Sequence, residues 1–252
     1  MSGIAVMRRA FGRLAALRLD IEVDRLVVRA LRAAAPGTRR VLVQAGLDAG
    51  LCREDTINRA ATCFLAFSAF NLSDDLSDGD CDYLPPAPAQ PVVLILHSLF
   101  LAGLRDLHLP PDVEAQVLRD LVAAEEAQVL ETISTSWDAT RLRLVTDGIA
   151  GSQWSAYLRV MWAGTPMEHL SSDVARNFGR VALLAGDITT ADPRYNTLPR
   201  AHRRSVLEEA LTSLHALESI DAHIARSIVA ECGPVLAEEF ADVSVSSTAS
   251  TS

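Results

Sequence analysis

The spacing of apolar residues along the chain predicts a protein built from helices. Most segments repeat their apolar positions about every 3.6 residues, as Leu19, Val23 and Leu26 do. No segment shows the strict alternation of apolar and polar residues that is typical of a strand. Helices are expected at about 4–34 (one or two), 39–50, 54–75, 92–106, 112–136, 138–163, 170–189, 200–217 and 219–232. The predicted fold class is therefore all-α, a single-domain helical bundle of eight to ten helices.

Proline and glycine indicate where these helices end. Gly79 and four prolines predict a loop over residues 79–91. The segment 243–252 is rich in Ser and Thr and poor in apolar residues, so we expect a disordered tail there. No linker divides the rest of the chain, and residues 1–242 are expected to form one domain.

The charged residues exclude several classes of chemistry. All 23 basic residues of the 252-residue chain are Arg, and 32 Asp and Glu give a formal net charge of -9. The absence of Lys excludes Schiff-base aldolases, pyridoxal-phosphate enzymes and the P-loop, which all need a lysine amine. The acidic balance argues against binding to nucleic acid. Any phosphate group must be held by Arg, by backbone N–H groups or by metal ions. Glu125, Glu126 and Glu131 are interpreted as a solvated helix face.

Cysteine usage and hydropathy predict a cytoplasmic location. Cys52, Cys63, Cys81 and Cys232 show no metal-binding or redox spacing and are expected to be reduced thiols. The longest apolar stretch, 91–104, is too short to span a membrane. We therefore expect neither a signal peptide nor a transmembrane segment.

An acidic cluster follows the apolar helix predicted at 54–75. Asp74, Asp75 and Asp78 begin a run of five carboxylates within nine residues. A helix C-terminus repels anions, so acids gathered there call for a compensating cation. Asp74 and Asp78 share a helix face, and their oxygens suit Mg²⁺. The alternative is a solvated helix end that Gly79 terminates.

A second apolar helix also ends in an acid. Residues 174–184 are largely apolar and lead into Gly186 and Asp187, with Thr190, Arg194 and Tyr195 following closely. Two acidic helix ends with arginine nearby would form a clamp for a metal-bound diphosphate. Taken alone, Asp187 would be better explained as a residue that caps a helix end.

These features resemble the class I isoprenoid synthase superfamily, which comprises trans-polyprenyl diphosphate synthases, squalene/phytoene synthases and terpene cyclases. The segment 37–42 resembles the early G-K-R-x-R-P-x-L motif, and 64–78 resembles the helix that ends in D-D-x-x-D. The segments 157–165 and 174–192 resemble the later K-T helix and the second acidic motif. The resemblance covers about residues 30–200 and implies a helical bundle with a central apolar cavity, often as a homodimer.

The resemblance also implies roles for particular side chains around an allylic prenyl diphosphate and Mg²⁺. The implied metal ligands are Asp74, Asp75, Asp78, Asp187 and Thr190. The implied catalytic groups are Asp74, Asp75, Asp187, Arg194 and Tyr195. The implied substrate-binding residues are Phe67, Phe70, Trp154, Tyr157, Arg180 and Arg194, with Arg159 as a further candidate. Trp154 and Tyr157 would offer π faces to a carbocation. Phe64 and Trp162 are interpreted as core packing.

The chain departs from the chain-elongating members at three positions. The Lys of the early motif is Thr38, the Lys before Thr165 is Gly164, and no Arg pair follows D-D-x-x-D. The second acidic motif keeps Asp187, with Gly186 and Thr190 at its other positions. In elongating enzymes such basic residues hold the diphosphate of the second substrate.

Three hypotheses follow from these departures. The first is a Mg²⁺-dependent terpene synthase that ionises an allylic prenyl diphosphate and yields a cyclised or rearranged product. The second is a prenyltransferase that joins two prenyl diphosphates. The third is a non-catalytic helical subunit that binds a prenyl chain or a partner protein.

Overall fold

The computed structural model describes residues 3–245, and this range contains helices and no strand. The prediction of an all-α fold is confirmed. The helices are α1 (Gly3–Ala16), α2 (Ile21–Ala33), α3 (Pro36–Asp48), α4 (Arg53–Asp78), α5 (Pro86–Asp106), α6 (Pro111–Thr132), α7 (Ala139–Thr146), α8 (Gln153–Trp162), α9 (Ser171–Thr189), α10 (Pro193–Asn196), α11 (Arg200–Glu218) and α12 (His223–Val245). A π-helical segment (Asp147–Ser152) joins α7 to α8.

The chain divides into two compact units that alternate along the sequence. The first unit holds the described residues up to Ala115 together with Val160–Glu168. The second holds Gln116–Arg159 and the described residues from His169 onward. The first unit thus contains α1 to α5, and the second contains the π segment and α9 to α12.

Helix α4 is the core of the first unit, where α1, α3 and α5 pack against it. Its residue Arg59 places Nη1 2.7 Å from the carbonyl oxygen of Ala163 and 3.0 Å from that of Val160. A cation at these carbonyls offsets the negative end of α8. The Trp162 side chain is fully buried and donates from Nε1 to Ala45 O at 2.9 Å, as core packing predicts.

Two predicted boundaries near prolines are wrong. Helix α5 begins at Pro86 rather than after Pro91. Pro86 and Pro88 lie in its first turn, where a proline gives up no helical hydrogen bond, and the helix continues through Pro91. Helix α12 continues past Pro234 to Val245 rather than ending at 232, with Leu236 fully buried beyond the proline. The helical region therefore extends three residues beyond the predicted boundary at 242. The rest of the predicted tail, 246–252, lies outside the described residues.

The helix predicted at 138–163 is interrupted by the π segment, on which α9 packs directly. Glycines allow the close approach. A Cβ built on Gly179 of α9 would lie 2.4 Å from the nitrogen of Gly151 in the π segment. In the contact of the π segment with α6, a Cβ built on Gly148 would lie 2.3 Å from the Cβ of Ala127. Single π turns inside α-helices occur frequently at functional sites.

Helix α5 is long and apolar enough to cross a membrane by length and composition alone. Seven of its residues are nevertheless buried in the first unit, including Leu96, Phe100 and Leu104. The core helix of a soluble protein passes the same test, so the finding is weak evidence for a span.

Candidate functional site

The first acidic motif occupies the last turn of α4. Buried residues follow one another along this helix as far as Leu72, and the exposed end begins at Ser77. Gly79 terminates the helix in the left-handed conformation at φ 79°, and its N–H donates to Asp75 O. The apolar pattern of α4 therefore presents Asp74 and Asp75 half-buried and Asp78 exposed.

Asp75 is held by two neutral donors. Its Oδ2 accepts hydrogen bonds from Asn71 Nδ2 at 2.9 Å and from Tyr83 Oη at 2.5 Å. Burial is the larger cause that raises the pKa of Tyr83, and the hydrogen bond to Asp75 raises it further. The hydroxyl therefore remains a donor at neutral pH. No sequence pattern pointed to Tyr83, because its partner lies eight residues away across the turn that ends α4.

The two predicted cavity residues of α4 lie one turn and two turns before the acids. Phe70 is buried with its ring 5.8 Å from that of His97 on α5, at an interplanar angle of 73°. Phe67 is half-buried and stacks on Phe64 at 6.4 Å. Phe64 is fully buried, with the Arg39 guanidinium 5.2 Å from its ring, as core packing predicts. Contact of Phe67 and Phe70 with a prenyl chain stays a prediction.

The second acidic motif forms a compact ion-pair cluster. Asp187, on the last turn of α9, is 2% exposed, and its Oδ1 lies 2.8 Å from Nη2 of Arg194 on α10. The same guanidinium contacts Asp192 Oδ1 through Nε at 3.2 Å and pairs with Glu131 at the end of α6 through Nη1. Three carboxylates therefore converge on one cation, within the second unit.

Burial makes the charge of Asp187 costly. Desolvation, together with the nearby carboxylate of Asp192, raises the pKa of Asp187 to about 8. Its Oδ2 is buried and has no hydrogen-bond partner within the part of the chain that the structure describes. The positive charge of Arg194, 2.8 Å away, favours the charged carboxylate and so opposes this rise in pKa without removing it.

The other residues predicted near the second motif are bonded to the protein itself. The exposed Thr190 donates from Oγ1 to Gly186 O at 3.0 Å. Tyr195 is 1% exposed and donates from its hydroxyl to Glu239 Oε1 at 2.8 Å. Burial and this bond raise the pKa of Tyr195. Roles for Thr190 at a metal and for Tyr195 at a diphosphate stay predictions.

The predicted aromatic pair lies next to the π segment. The ring of Trp154 lies 5.6 Å from that of Tyr157 in an edge-on contact and 4.6 Å from that of Phe178 on α9. Trp154 and Tyr157 are 8% and 1% exposed. Phe178 was not predicted from the sequence, since its partner is 24 residues away on another helix. A role for this cluster toward a carbocation stays a prediction.

The two further arginine candidates are also neutralised within the second unit. Arg180 donates from Nε and Nη2 to the two oxygens of Asp147, at 3.0 and 2.6 Å. Arg159 donates from Nε to Asp120 Oδ2 at 2.7 Å and from Nη2 to Ser172 Oγ at 2.5 Å. Both cations therefore already have anionic partners on neighbouring helices.

Comparison with known proteins identifies the fold. No protein-family model and no curated protein sequence matches the chain. The solved structure of a geranyltranstransferase from Thermotoga maritima matches with a TM-score of 0.65 and 11% identity, over 92% of this chain and 97% of that chain. This chain has the class I isoprenoid synthase fold. The resemblance predicted from the sequence is thereby confirmed at the level of the fold.

Two further solved structures match the fold of this chain. A geranyltransferase from Legionella pneumophila matches with a TM-score of 0.63 and 16% identity, over 94% of this chain and 96% of that chain. A deletion mutant of heterotetrameric geranyl pyrophosphate synthase from mint matches with a TM-score of 0.60 and 14% identity, over 93% and 98% of the two chains.

The two acidic motifs of this isoprenoid synthase fold differ in how well they suit Mg²⁺. Among residues 3–245, no group of three or more Asp, Glu, His or Cys side chains is already arranged to hold a metal ion. Mg²⁺ needs only one or two carboxylates when waters and phosphate oxygens complete its shell, so the end of α4 fits it. At the second motif Arg194 occupies the space among the carboxylates, and the residues do not fit a metal while it is there.

The missing lysines of the isoprenoid synthase motifs have local explanations. Gly164 follows α8 at φ 70°, a conformation that favours glycine, and its N–H donates to Glu168 Oε2 at 2.7 Å. Thr38 lies on α3 and is only 8% exposed, so a lysine there would have its charge close to the protein interior. The absence of lysine at 164 is therefore explained by the backbone.

Proposed function

We propose that this chain is a Mg²⁺-dependent isoprenoid synthase that acts on an allylic prenyl diphosphate and transfers the prenyl group to a second prenyl unit. The proposal rests on the end of α4, where Asp74, Asp75 and Asp78 emerge from a buried helix. It is supported by the solved structures of the same fold, whose names describe geranyl transferases and a geranyl pyrophosphate synthase. Transfer is therefore preferred to cyclisation.

The residues at the end of α4 have different roles in this proposal. Asp74, Asp75 and Asp78 would hold Mg²⁺, which supplies positive charge to the diphosphate leaving group. Asn71 and Tyr83 fix the carboxylate of Asp75, as partners of metal ligands commonly do. Phe70, one turn earlier on α4, would limit the length of prenyl chain that is accepted.

Cyclisation is the alternative that the departures from the elongation motifs favour. The chain lacks the Arg pair after Asp78, and Thr38 replaces a lysine. An enzyme without a second diphosphate site would ionise a single substrate and release a cyclised or rearranged terpene. The glycine at 164 weakens this argument, since its positive φ accounts for that residue.

The ion pairs of Arg194 favour a non-catalytic subunit as the remaining alternative. They engage Asp187, which the resemblance implies to be a metal ligand. A chain that keeps only one acidic motif could bind a prenyl diphosphate without turning it over. The heterotetramer named for the mint protein is an example of this fold within a larger assembly.

One experiment separates the three functions. Purified protein is incubated with Mg²⁺ and C10, C15 or C20 allylic diphosphates, each alone and with isopentenyl diphosphate, and diphosphate release and product mass are measured. Transfer predicts a product only when both substrates are present. A single substrate that yields a product with its own number of carbon atoms would favour cyclisation, whereas a doubled number would mean that the substrate couples to itself. Binding measured by calorimetry without release of diphosphate would favour the non-catalytic subunit.

A matched pair of variants connects any activity with the first motif. Asp74→Asn with Asp75→Asn removes two proposed metal ligands, whereas Asp80→Asn with Asp82→Asn removes two charges from the loop that follows. We expect the first pair to abolish product formation and the second to retain it. Equal loss in both would show that only the overall charge of this end of α4 matters.

We further propose that the protein works in the cytoplasm as a homodimer. The four cysteines, including the buried Cys63 and Cys232, form no disulfide within the described residues, which suits a reducing compartment. Light scattering on the protein as it elutes from a size-exclusion column measures the mass of the particle in solution. A mass equal to one chain at micromolar concentration would exclude the homodimer.

A further inference from the structure

The second acidic motif already contains a cation of its own. We define the Arg194 cluster as Arg194 with Glu131, Asp187 and Asp192. Its carboxylates come from the end of α6, the end of α9 and the residue before α10. Acids from two helix ends and from the turn that follows therefore surround one point, which the guanidinium occupies.

The backbone between α9 and α10 directs Arg194 into this position. Ala191 adopts φ 56°, a left-handed conformation unusual for a residue with a Cβ, and reverses the chain after α9. The N–H of Asp192 then donates to Asp187 O at 2.8 Å. The Asp192 carboxylate accepts the N–H of Arg194 at 2.7 Å and caps α10. This turn fixes Arg194 next to Asp187.

We propose that the guanidinium of Arg194 takes the place of a divalent ion at the second acidic motif, so that the chain binds Mg²⁺ without using Asp187. The proposal rests on the proposed function, in which the first motif holds Mg²⁺. A guanidinium carries five donors in a fixed plane and can bind several carboxylates at once. Three of its nitrogens do so here.

Burial of the cluster supports the same inference. The side chains of Arg194 and Glu131 are each 16% exposed, and that of Asp187 is 2% exposed. Mg²⁺ loses water reluctantly and usually keeps several water ligands. A divalent ion here would also lie beside the fixed positive charge of Arg194. The cluster is therefore closed to Mg²⁺ unless the guanidinium leaves.

Removing the guanidinium should convert the cluster into a metal site. In Arg194→Ser, three carboxylates would face one another without a cation, and a divalent ion would relieve their repulsion. Mn²⁺ is the probe, because it also prefers carboxylate and water ligands and its free concentration is read from its electron paramagnetic resonance signal. We expect one additional Mn²⁺ bound per chain, and a rise in Tm on adding Mn²⁺ that is larger than in the unaltered protein.

Two variants identify the site that is gained. Arg194→Ser combined with Asp187→Asn should lose the additional Mn²⁺. Arg180→Ser is the matched control, because Arg180 is a similarly buried arginine that binds the single carboxylate of Asp147. It should gain no Mn²⁺. A gain in Arg180→Ser equal to that in Arg194→Ser would overturn the proposal.

A third variant decides the question even if Arg194→Ser does not fold. Asp187→Asn leaves Arg194 paired with Glu131 and Asp192, and it should not change the number of Mn²⁺ ions bound by the otherwise unaltered protein. Loss of one Mn²⁺ in this variant would show that Asp187 binds metal and would overturn the proposal. The proposed function would fail separately, through Asp74 and Asp75 variants that leave Mn²⁺ binding and turnover unchanged.

Discussion

The contact between α9 and the π segment predicts opposite behaviour for two glycines of the same helix. A Cβ on Gly179 would lie 2.4 Å from Gly151 N, 2.6 Å from Ala150 C and 2.7 Å from the α-carbon of Gly151. Optimal contact between carbon atoms is about 3.5 Å or more, so α9 would have to move by about 1 Å. A Cβ on Gly186 has no atom within 4 Å.

The comparison of Gly179→Ala with Gly186→Ala isolates the cost of this contact. Both changes replace a helical glycine by alanine, a gain of about 1 kcal/mol that cancels in the difference. Overpacking against backbone atoms costs about 1–3 kcal/mol. We therefore expect Gly179→Ala to be less stable than Gly186→Ala by about 1–3 kcal/mol. For a chain of this size that corresponds to a Tm lower by about 2–12 °C.

Thermal and urea unfolding followed by circular dichroism at 222 nm measure this difference. The unaltered protein should be about 1 kcal/mol less stable than Gly186→Ala, and should lie between the two variants or near Gly179→Ala. Equal stability of the two alanine variants would refute the reasoning, because the close approach of α9 to the π segment would then carry no energetic cost. An equal m-value in both variants shows that the difference arises in the native packing.

Three further predictions concern single side chains. Cys63 is fully buried and burial raises its pKa, so a thiol reagent should label the exposed Cys52 in the native protein and Cys63 only after unfolding; native labelling of Cys63 would contradict this burial. Tyr83→Phe removes a donor to Asp75 and should weaken Mn²⁺ binding by about tenfold or more, as calorimetry can measure; unchanged affinity would argue against the proposed metal site. Burial lowers the pKa of His97, so the unfolded chain takes up this proton first and stability should fall as the pH drops below about 6.5; His97→Gln should remove that part of the pH dependence of unfolding.

Local sequence patterns were sufficient to predict α4 and its acidic end. Its apolar residues follow a helical period without interruption, and Gly79 supplies a terminator whose conformation the structure confirms. The start of α5 was predicted wrongly, because Pro85 and Pro86 give the same signal for a loop as for a helix that starts on a proline, and Pro91 lies inside the helix. The π segment at 147–152 was not predictable either, since one extra residue in a turn barely alters the apolar period.

The partners of charged residues depend on tertiary structure and could not be read from spacing. Arg194 follows Asp187 closely, and the sequence suggested a shared site for the two. Glu131 lies 63 positions before Arg194, and its neighbours along the chain suggested a solvated acidic face. Only the ion pairs seen in the folded chain show that Glu131 and Asp187 hold the same guanidinium.

Four arginines of the second unit bind in a way that lysine could not reproduce. Each of these half-buried arginines uses at least two nitrogens of its guanidinium to contact different atoms of neighbouring residues. The four arginines are Arg143, Arg159, Arg180 and Arg194. An ammonium group has a single nitrogen and could not span the three carboxylates around Arg194. Arg194→Lys should therefore retain the charge yet lose much of the stability, whereas a purely electrostatic role would leave Tm unchanged.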